Sequence, residues 1–150
     1  MHLAYAAGVF DGEGCVNFSR VRHGYSIRVF IANTDRNLLE AFRTKFGGDI
    51  GPLSLRRPGW KQGWQWRISW SRAIDFLDAI SPWLRVKRQQ AQVAFAWDAI
   101  RGGRGRPADT ETMSLLRDQL KWLNRKGDAI AIDPVTIALN VARAAKKGGK

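Results

Sequence analysis

The stretch A-Y-A-A-G-V-F-D-G-E-G-C-V-N, residues 4–17, constrains this chain more than any other. Ala4, Gly8 and Gly12 recur every four residues, so a helix here carries a ridge of small residues that a second backbone can approach closely. Asp11 and Glu13 then fall at the C-terminal end of the helix, where the macrodipole disfavours a carboxylate by roughly 0.3–1 kcal/mol. A bound cation reverses the sign of that interaction.

Two interpretations of this stretch stay open on the residues alone. If two such helices packed ridge against ridge, their acidic ends would converge into a carboxylate cluster able to hold a hard divalent metal such as Mg2+. Alternatively, Gly12 and Gly14 form a simple turn in which Asp11 and Glu13 are solvated. The rest of the chain has to decide between them.

The charge of the chain indicates a polyanionic partner. The 150 residues carry a formal net charge of +12, and between Gly14 and Arg72 there are 11 Lys or Arg against 3 Asp or Glu. With 45% apolar residues the chain can bury one core. No apolar run approaches the length of a membrane span, and the single cysteine, Cys15, excludes an internal disulfide. We therefore expect an intracellular protein of the cytoplasm, nucleoid or an organelle, not secreted and without a membrane partner.

Hydrophobic periodicity predicts an order of helix, two strands, helix, two strands and helices. Strands are predicted over residues 15–21, 25–33, 51–56 and 64–70. After the first helix, further helices are predicted over residues 38–46, 72–80 and 85–100, with Ser71 as the cap of the second of these. Trp64, Trp66, Ile68 and Trp70 share one side of the last strand, which we interpret as core rather than as base-stacking platforms.

The last third of the chain is predicted to differ from the rest. Residues 101–107 read as a flexible basic loop, residues 110–124 as a helix, and residues 133–145 as a final helix. We expect residues 1–100 to form the core. Residues 101–150 would then pack on this core or extend it.

Residues 6–14, A-A-G-V-F-D-G-E-G, resemble the nine-residue LAGLIDADG motif of homing endonucleases. The matching residues are Ala7, Gly8, Val9, Phe10, Asp11, Glu13 and Gly14. The sequence departs from the motif at Ala6, where the family has leucine, and at Glu13, where it has aspartate. The second departure keeps a carboxylate and lengthens its reach by one methylene.

The resemblance extends over residues 4–100 and implies an α+β fold of order αββαββα. In that fold a saddle-shaped, antiparallel, four-stranded sheet carries its helices on one face. The implied activity is site-specific cleavage of double-stranded DNA by Mg2+-dependent phosphodiester hydrolysis across the minor groove, with Mn2+ or Ca2+ as substitutes in binding. Because cutting two strands needs two acidic helix ends, one motif per chain implies a homodimer and a nearly palindromic site. An intron RNA maturase and a DNA-binding regulator that does not cut stay open as alternatives on this fold.

The resemblance also implies roles for individual residues. Residues 81–91 resemble the segment that carries the family's active-site lysine, and residues 31–35 its strand-to-helix junction. The residues expected in catalysis are Glu13, Lys87 and Asn33, and the expected metal ligands are Glu13, the carbonyl of Gly12, and Asp11, whose place in the family is mostly structural. The expected dimer interface contains Ala4, Ala7, Gly8, Asp11 and Gly12. The expected DNA contacts, on the polar faces of the strands, are Asn17, Ser19, Arg20, Arg22, Arg28, Ser54, Arg56, Gln65, Arg67 and Ser69.

Overall fold

The computed structural model describes residues 1–22, 24–55, 57–101 and 110–125. Its helices are α1 (Leu3–Glu13), α2 (Arg36–Phe46), α3 (Trp70–Ile80), α4 (Arg88–Ile100) and α5 (Thr110–Leu123). Its strands are β1 (Gly14–Val21), β2 (Gly24–Asn33), β3 (Asp49–Pro52) and β4 (Trp64–Ser69), and a short 3-10 helix covers Ser81–Trp83. The elements follow the predicted order.

The four strands form one sheet in the order β1-β2-β4-β3. β2 runs antiparallel to β4, with Val29 opposite Ile68 and Ile31 opposite Trp66, and β3 runs antiparallel to β4 with Ile50 opposite the same Trp66. These side chains share one face of the sheet because side chains alternate along a strand. The predicted α+β fold with a four-stranded antiparallel sheet is confirmed.

The chain forms two compact units. The first joins residues 1–15 to residues 28–87, and it contains α1, α2, β3, β4 and α3. The second joins residues 16–27 to the part of the chain that begins at Arg88, including α4 and α5. Because α4 and α5 lie on either side of residue 100 and belong to the same unit, the division into a core and an appended segment at that residue stays a prediction.

Aromatic rings fill the core of the first unit. Trp66 of β4 is fully buried, and its ring centroid lies 5.2 Å from those of both Phe42 and Phe76. Its indole N–H donates to the carbonyl of Gly47 over 2.8 Å, so the polar atom of the buried ring is satisfied. Phe10 of α1 meets Phe76 edge to face at 5.3 Å. The helix that carries the acidic motif is thus anchored on the same cluster as the sheet, and Trp66 lies in the core as predicted.

In the second unit, α5 and the residue that follows it are bonded to residues of β1 and β2. The guanidinium of Arg117 lies 5.1 Å from the ring centroid of Tyr25 and donates to its hydroxyl over 2.5 Å. The side-chain amide of Asn124 donates to the carbonyl of Val16 over 2.7 Å. The predicted apolar side of α5 is buried at Met113, Leu116 and Leu120 and half-buried at Leu123.

β3 is shorter than predicted. It covers Asp49–Pro52 rather than residues 51–56, so it begins two residues earlier and ends four residues earlier than predicted. One further backbone bond follows, from the N–H of Leu53 to the carbonyl of Gly63 over 2.8 Å. The chain then leaves the sheet as a loop.

Three helices begin at other residues than predicted. α2 begins at Arg36 instead of residue 38. α3 begins at Trp70, so Ser71 lies inside the helix and Ser69 occupies the N-cap position. Ser69 still lies opposite Arg28 in the sheet, so the strand leads directly into the helix and Trp70 takes a φ of +58° at the junction. α4 begins at Arg88 instead of residue 85.

Part of the predicted C-terminal structure lies outside the described residues. This concerns the basic loop beyond residue 101 and the whole of the helix predicted over residues 133–145. Within the described part of the chain, none of the helices is both long enough and apolar enough to span a lipid bilayer.

The aromatic core predicts a difference between two tryptophans. Trp66→Phe should lower the free energy of unfolding by about 1–3 kcal/mol, because it leaves a buried carbonyl without its donor. Trp60→Phe is the matched control, since Trp60 is 58% exposed and a surface change of this kind alters stability by about 0.5 kcal/mol or less. Urea denaturation followed by circular dichroism measures both, and equal losses would contradict the assignment of Trp66 to the core.

Candidate active site at the end of the first helix

α1 ends with both acids of the motif in its last turn. The helix closes at Gly14, whose N–H donates to the carbonyl of Phe10. A Cβ built at Gly14 would lie 2.1 Å from the ring of Phe10 and 2.5 Å from its carbonyl, so only glycine fits where the helix passes into β1. The last turn contains no basic residue. Asp11 and Glu13 therefore lie at the negative end of the helix dipole, as the sequence predicts.

The carboxylate of Asp11 binds a segment far along the chain. One oxygen accepts the N–H of Arg85 over 2.8 Å, at a separation of 74 residues, and the other accepts the N–H of Lys87 over 2.9 Å. The ammonium of Lys87 donates back to the carbonyl of Asp11 over 2.5 Å. Asp11 thus binds the segment that immediately precedes α4, which begins at Arg88.

Glu13 is the free acid of the pair. Glu13 and Gly12 are exposed, whereas Asp11 is half-buried. Among the described residues, no hydrogen bond or ion pair involves the carboxylate of Glu13. A carboxylate and a backbone carbonyl at one helix end form an all-oxygen donor set, which suits Mg2+ or Ca2+.

The described part of the chain does not complete a metal site by itself. Within the described residues there is no group of three or more His, Cys, Asp or Glu side chains able to hold a metal ion. Glu13 and the carbonyl of Gly12 are fewer ligands than a hard divalent ion takes. Further oxygen ligands would have to come from a second chain, from a bound phosphate or from water.

The side chain of Asn33 is engaged locally. Its amide oxygen accepts the N–H of Asp35 over 2.8 Å, and Asp35 in turn caps the first turn of α2. The NH2 group of Asn33 and the second lone pair of its amide oxygen can still bind a water. None of the hydrogen bonds of the described residues joins Asn33 to Asp11 or Lys87.

The small-residue ridge of α1 is largely open, with one exception. Gly8 and Gly12 are exposed, and a Cβ built at either position would meet nothing within 4 Å. Ala4 is half-buried, and Tyr5 beside it is 57% exposed. Ala7, which we expected in the dimer interface, is fully buried within the chain's own core. It lies on the inward side of α1, so it is not available to a partner.

The exposed face of the sheet carries several of the residues expected to contact DNA. In the first unit, Arg28 lies opposite Ser69, and Gln65 and Arg67 share their face because they alternate with the buried residues of β4. Arg28 and Arg67 are exposed, and Ser54 is exposed in the loop after β3. These positions agree with a polar, solvent-facing surface.

The remaining residues expected to contact DNA differ in their exposure to solvent. In the second unit Arg20 and Arg22 are exposed and Ser19 is half-buried. The amide oxygen of Asn17 is buried and has no hydrogen-bond partner among the described residues, so it does not reach a base edge in this conformation. Arg56 lies outside the described residues.

Two features of the site have no signal in the sequence. The bonds from Asp11 to the backbone of Arg85 and Lys87 join main-chain groups, so residue types do not reveal them. The second feature is the surroundings of Cys15. Burial raises the pKa of its thiol, and the nearby Lys87 ammonium lowers the pKa in part. Cys15 therefore stays protonated near neutral pH and behaves as a small strand residue.

Comparison with solved structures identifies the fold. The chain is similar to the homing endonuclease I-CvuI in complex with a DNA target, with 21% sequence identity and a TM-score of 0.63, over 99% of this chain and 94% of that one. It is also similar to the archaeal intron-encoded homing endonuclease I-Vdi141I complexed with DNA, with 17% identity and a TM-score of 0.60, over 95% of each chain. The chain has the LAGLIDADG homing-endonuclease fold.

Another similar solved structure is longer than this chain. I-SmaMI bound to an uncleaved DNA target with calcium ions matches over 93% of this chain but only 49% of its own, with 18% identity and a TM-score of 0.55. This chain therefore spans about half the length of that LAGLIDADG-fold protein. No protein-family profile and no curated protein sequence matches the chain.

The helix end predicts a steric requirement at one glycine. Gly14→Ala should destabilise the protein by about 1–3 kcal/mol, because the added methyl overlaps the ring and carbonyl of Phe10. Gly51→Ala is the matched control, since a Cβ at Gly51 meets nothing within 4 Å. Thermal and urea denaturation measure both, and a harmless Gly14→Ala would show that the close approach to Phe10 does not constrain the junction.

Proposed function

We propose that this protein is a site-specific DNA endonuclease that works as a homodimer with a divalent metal. One observation carries the proposal: the ammonium of Lys87 is held on the carbonyl of Asp11, at the same helix end that presents the free carboxylate of Glu13. A cation and an unpaired carboxylate at one site suit the hydrolysis of a phosphodiester. I-CvuI and I-Vdi141I, homing endonucleases of the same fold, were solved with DNA, which supports the choice of substrate.

Each candidate residue has its own role in the proposed hydrolysis of the phosphodiester. Glu13 and the carbonyl of Gly12 would hold the ion, which is Mg2+ in our proposal, with Mn2+ or Ca2+ as substitutes in binding. The bound ion supplies charge neutralisation on the phosphate and makes a bound water more acidic. Lys87 neutralises further negative charge near the scissile phosphate. Asn33 orients water through its side-chain amide, whose oxygen also accepts the N–H of Asp35.

The homodimer follows from the incomplete site. A single chain presents one acidic helix end, whereas cleavage of both DNA strands needs two. The exposed ridge of Ala4, Gly8 and Gly12 allows two α1 helices to approach closely around a two-fold axis. A two-fold enzyme binds a nearly palindromic site, and its acidic ends meet at the central minor groove between the two half-sites.

The basic surface supports DNA as the partner. The net charge of +12 favours a polyanion and predicts affinity that falls steeply with salt. Arg28, Gln65 and Arg67 on the exposed sheet face can donate to base edges in the major groove. Arg20 and Arg22 are exposed and suited to phosphate contacts.

The free carboxylate predicts a variant that binds but does not cut. Glu13→Gln should lower the rate of DNA cleavage by about a hundredfold or more, because it removes the charged metal ligand, while DNA binding measured in Ca2+ persists. Glu40→Gln is the matched control, since Glu40 lies on α2 and pairs with Arg36 and Arg43.

The assay is cleavage of a plasmid library in Mg2+, followed by sequencing of the ends. Normal cutting by Glu13→Gln would refute the assigned ligand. If the unaltered protein cuts none of the plasmids but binds intron RNA tightly, the maturase is the correct function instead.

The exposed ridge predicts a variant that cannot dimerise. Gly8→Val should give monomers and abolish double-strand cleavage, because its side chain meets open space in one chain but blocks the approach of a second helix. Ala41→Val on the exposed side of α2 is the matched control. Light scattering of the DNA complex measures the mass, and a dimer formed by Gly8→Val would place the interface elsewhere.

A further inference from the structure

We infer that Asp11 is a positioning residue, which fixes the backbone of residues 85–87 and so places the ammonium of Lys87. The inference rests on the proposed nuclease function and assigns its two acids different tasks. The sequence had placed Asp11 among the metal ligands and in the dimer interface.

The contacts hold Lys87 at both of its ends. Its backbone N–H is bound by the carboxylate of Asp11 over 2.9 Å, and its side-chain ammonium is bound by the carbonyl of the same residue over 2.5 Å. A lysine side chain has a flexible four-carbon stem, so its charge occupies one place only if the backbone and the head group are both held. Asp11 provides both contacts.

The segment around Lys87 has little else to hold it in place. Val86 is 70% exposed and Arg85 is exposed, so neither side chain packs the segment against the core. Leu84, which is fully buried, anchors the residue before it. Between Leu84 and the start of α4, the two backbone bonds to Asp11 determine the path of the chain.

The same bonds argue against Asp11 as a metal ligand. Each of its oxygens already accepts a backbone N–H, and the side chain is half-buried. Glu13, two residues on, is exposed and free of such bonds among the described residues. Turning Asp11 towards a metal would leave the N–H groups of Arg85 and Lys87 without their acceptor.

The test uses Asp11→Asn in the full-length protein. Asparagine has one acceptor oxygen, so it keeps at most one of the two backbone bonds and turns a donor towards the other N–H. We expect the single-turnover rate of DNA cleavage to fall about a hundredfold, as for a group displaced by about 1 Å. DNA affinity in Ca2+ and the affinity for Ca2+ alone should stay at the values of the unaltered protein. Glu13→Gln is the comparison, and it should lose Ca2+ binding.

Hydrogen exchange reports on the contact without metal or DNA. In Asp11→Asn, the backbone amides of residues 85 and 87 should exchange faster, whereas α1 and α3 keep their protection. Asp11→Glu, which retains both oxygens, should restore part of the protection and part of the rate. Loss of protection across α1 and α3 would overturn the inference, because Asp11 would then support the fold in general.

A double-variant cycle tests whether Asp11 acts through Lys87. In a Lys87→Met background, Asp11→Asn should cause little further loss of cleavage rate, since there is no ammonium left to position. Additive losses would overturn the inference, and so would weaker Ca2+ binding by Asp11→Asn. If the unaltered protein cuts no DNA, the proposed function fails, whereas the exchange and Ca2+ measurements still report on the contacts of Asp11.

Discussion

Three hydrogen bonds between Asp11 and the segment containing Arg85 and Lys87 join the ends of the first unit. A hydrogen bond to a charged group contributes about 1.5–3 kcal/mol, and the two bonds to the carboxylate also satisfy backbone donors that lie outside any helix. The place of the Lys87 ammonium depends on this contact. The candidate active site is therefore formed by the motif helix together with residues 85–87, which lie far from that helix in the sequence.

The helix end combines charges that are unfavourable in isolation. Two carboxylates lie where the dipole of α1 is negative, and the ammonium of Lys87 binds the backbone carbonyl of Asp11 at the same helix end. No cation is bound to the carboxylate of Glu13 among the described residues. Burial of Phe10 against Phe76 holds the helix in place despite this charge distribution. The packing of the core thus maintains an exposed acid that a divalent cation can stabilise.

Hydrophobic periodicity, helix caps, and the positions of glycine and proline were sufficient to predict most of the fold. Alternation placed Trp66 in the core, and the N33-T34-D35 cap and glycine pair placed α2 within two residues at its start. The errors fall at the boundaries of the elements, which local patterns do not fix. Ala7 shows a limit of the resemblance, which placed it in the dimer interface with Gly8, whereas its side chain is buried in the core of its own chain. Asn17 is similar, because alternation does not reveal that its amide oxygen is buried.

The resemblance to the homing-endonuclease family singled out Lys87 as the candidate cation. By itself, the sequence determined the order of the elements, the acidic end of α1 and the basic character of the chain. These properties follow from local spacing and composition, which a chain carries whether or not it is folded. Only the tertiary structure decided that Asp11 binds the backbone of residues 85–87 while Glu13 stays free. The physical reason is that every non-proline residue has the same backbone N–H group, so the partner of a carboxylate is selected by the path of the chain and not by residue type.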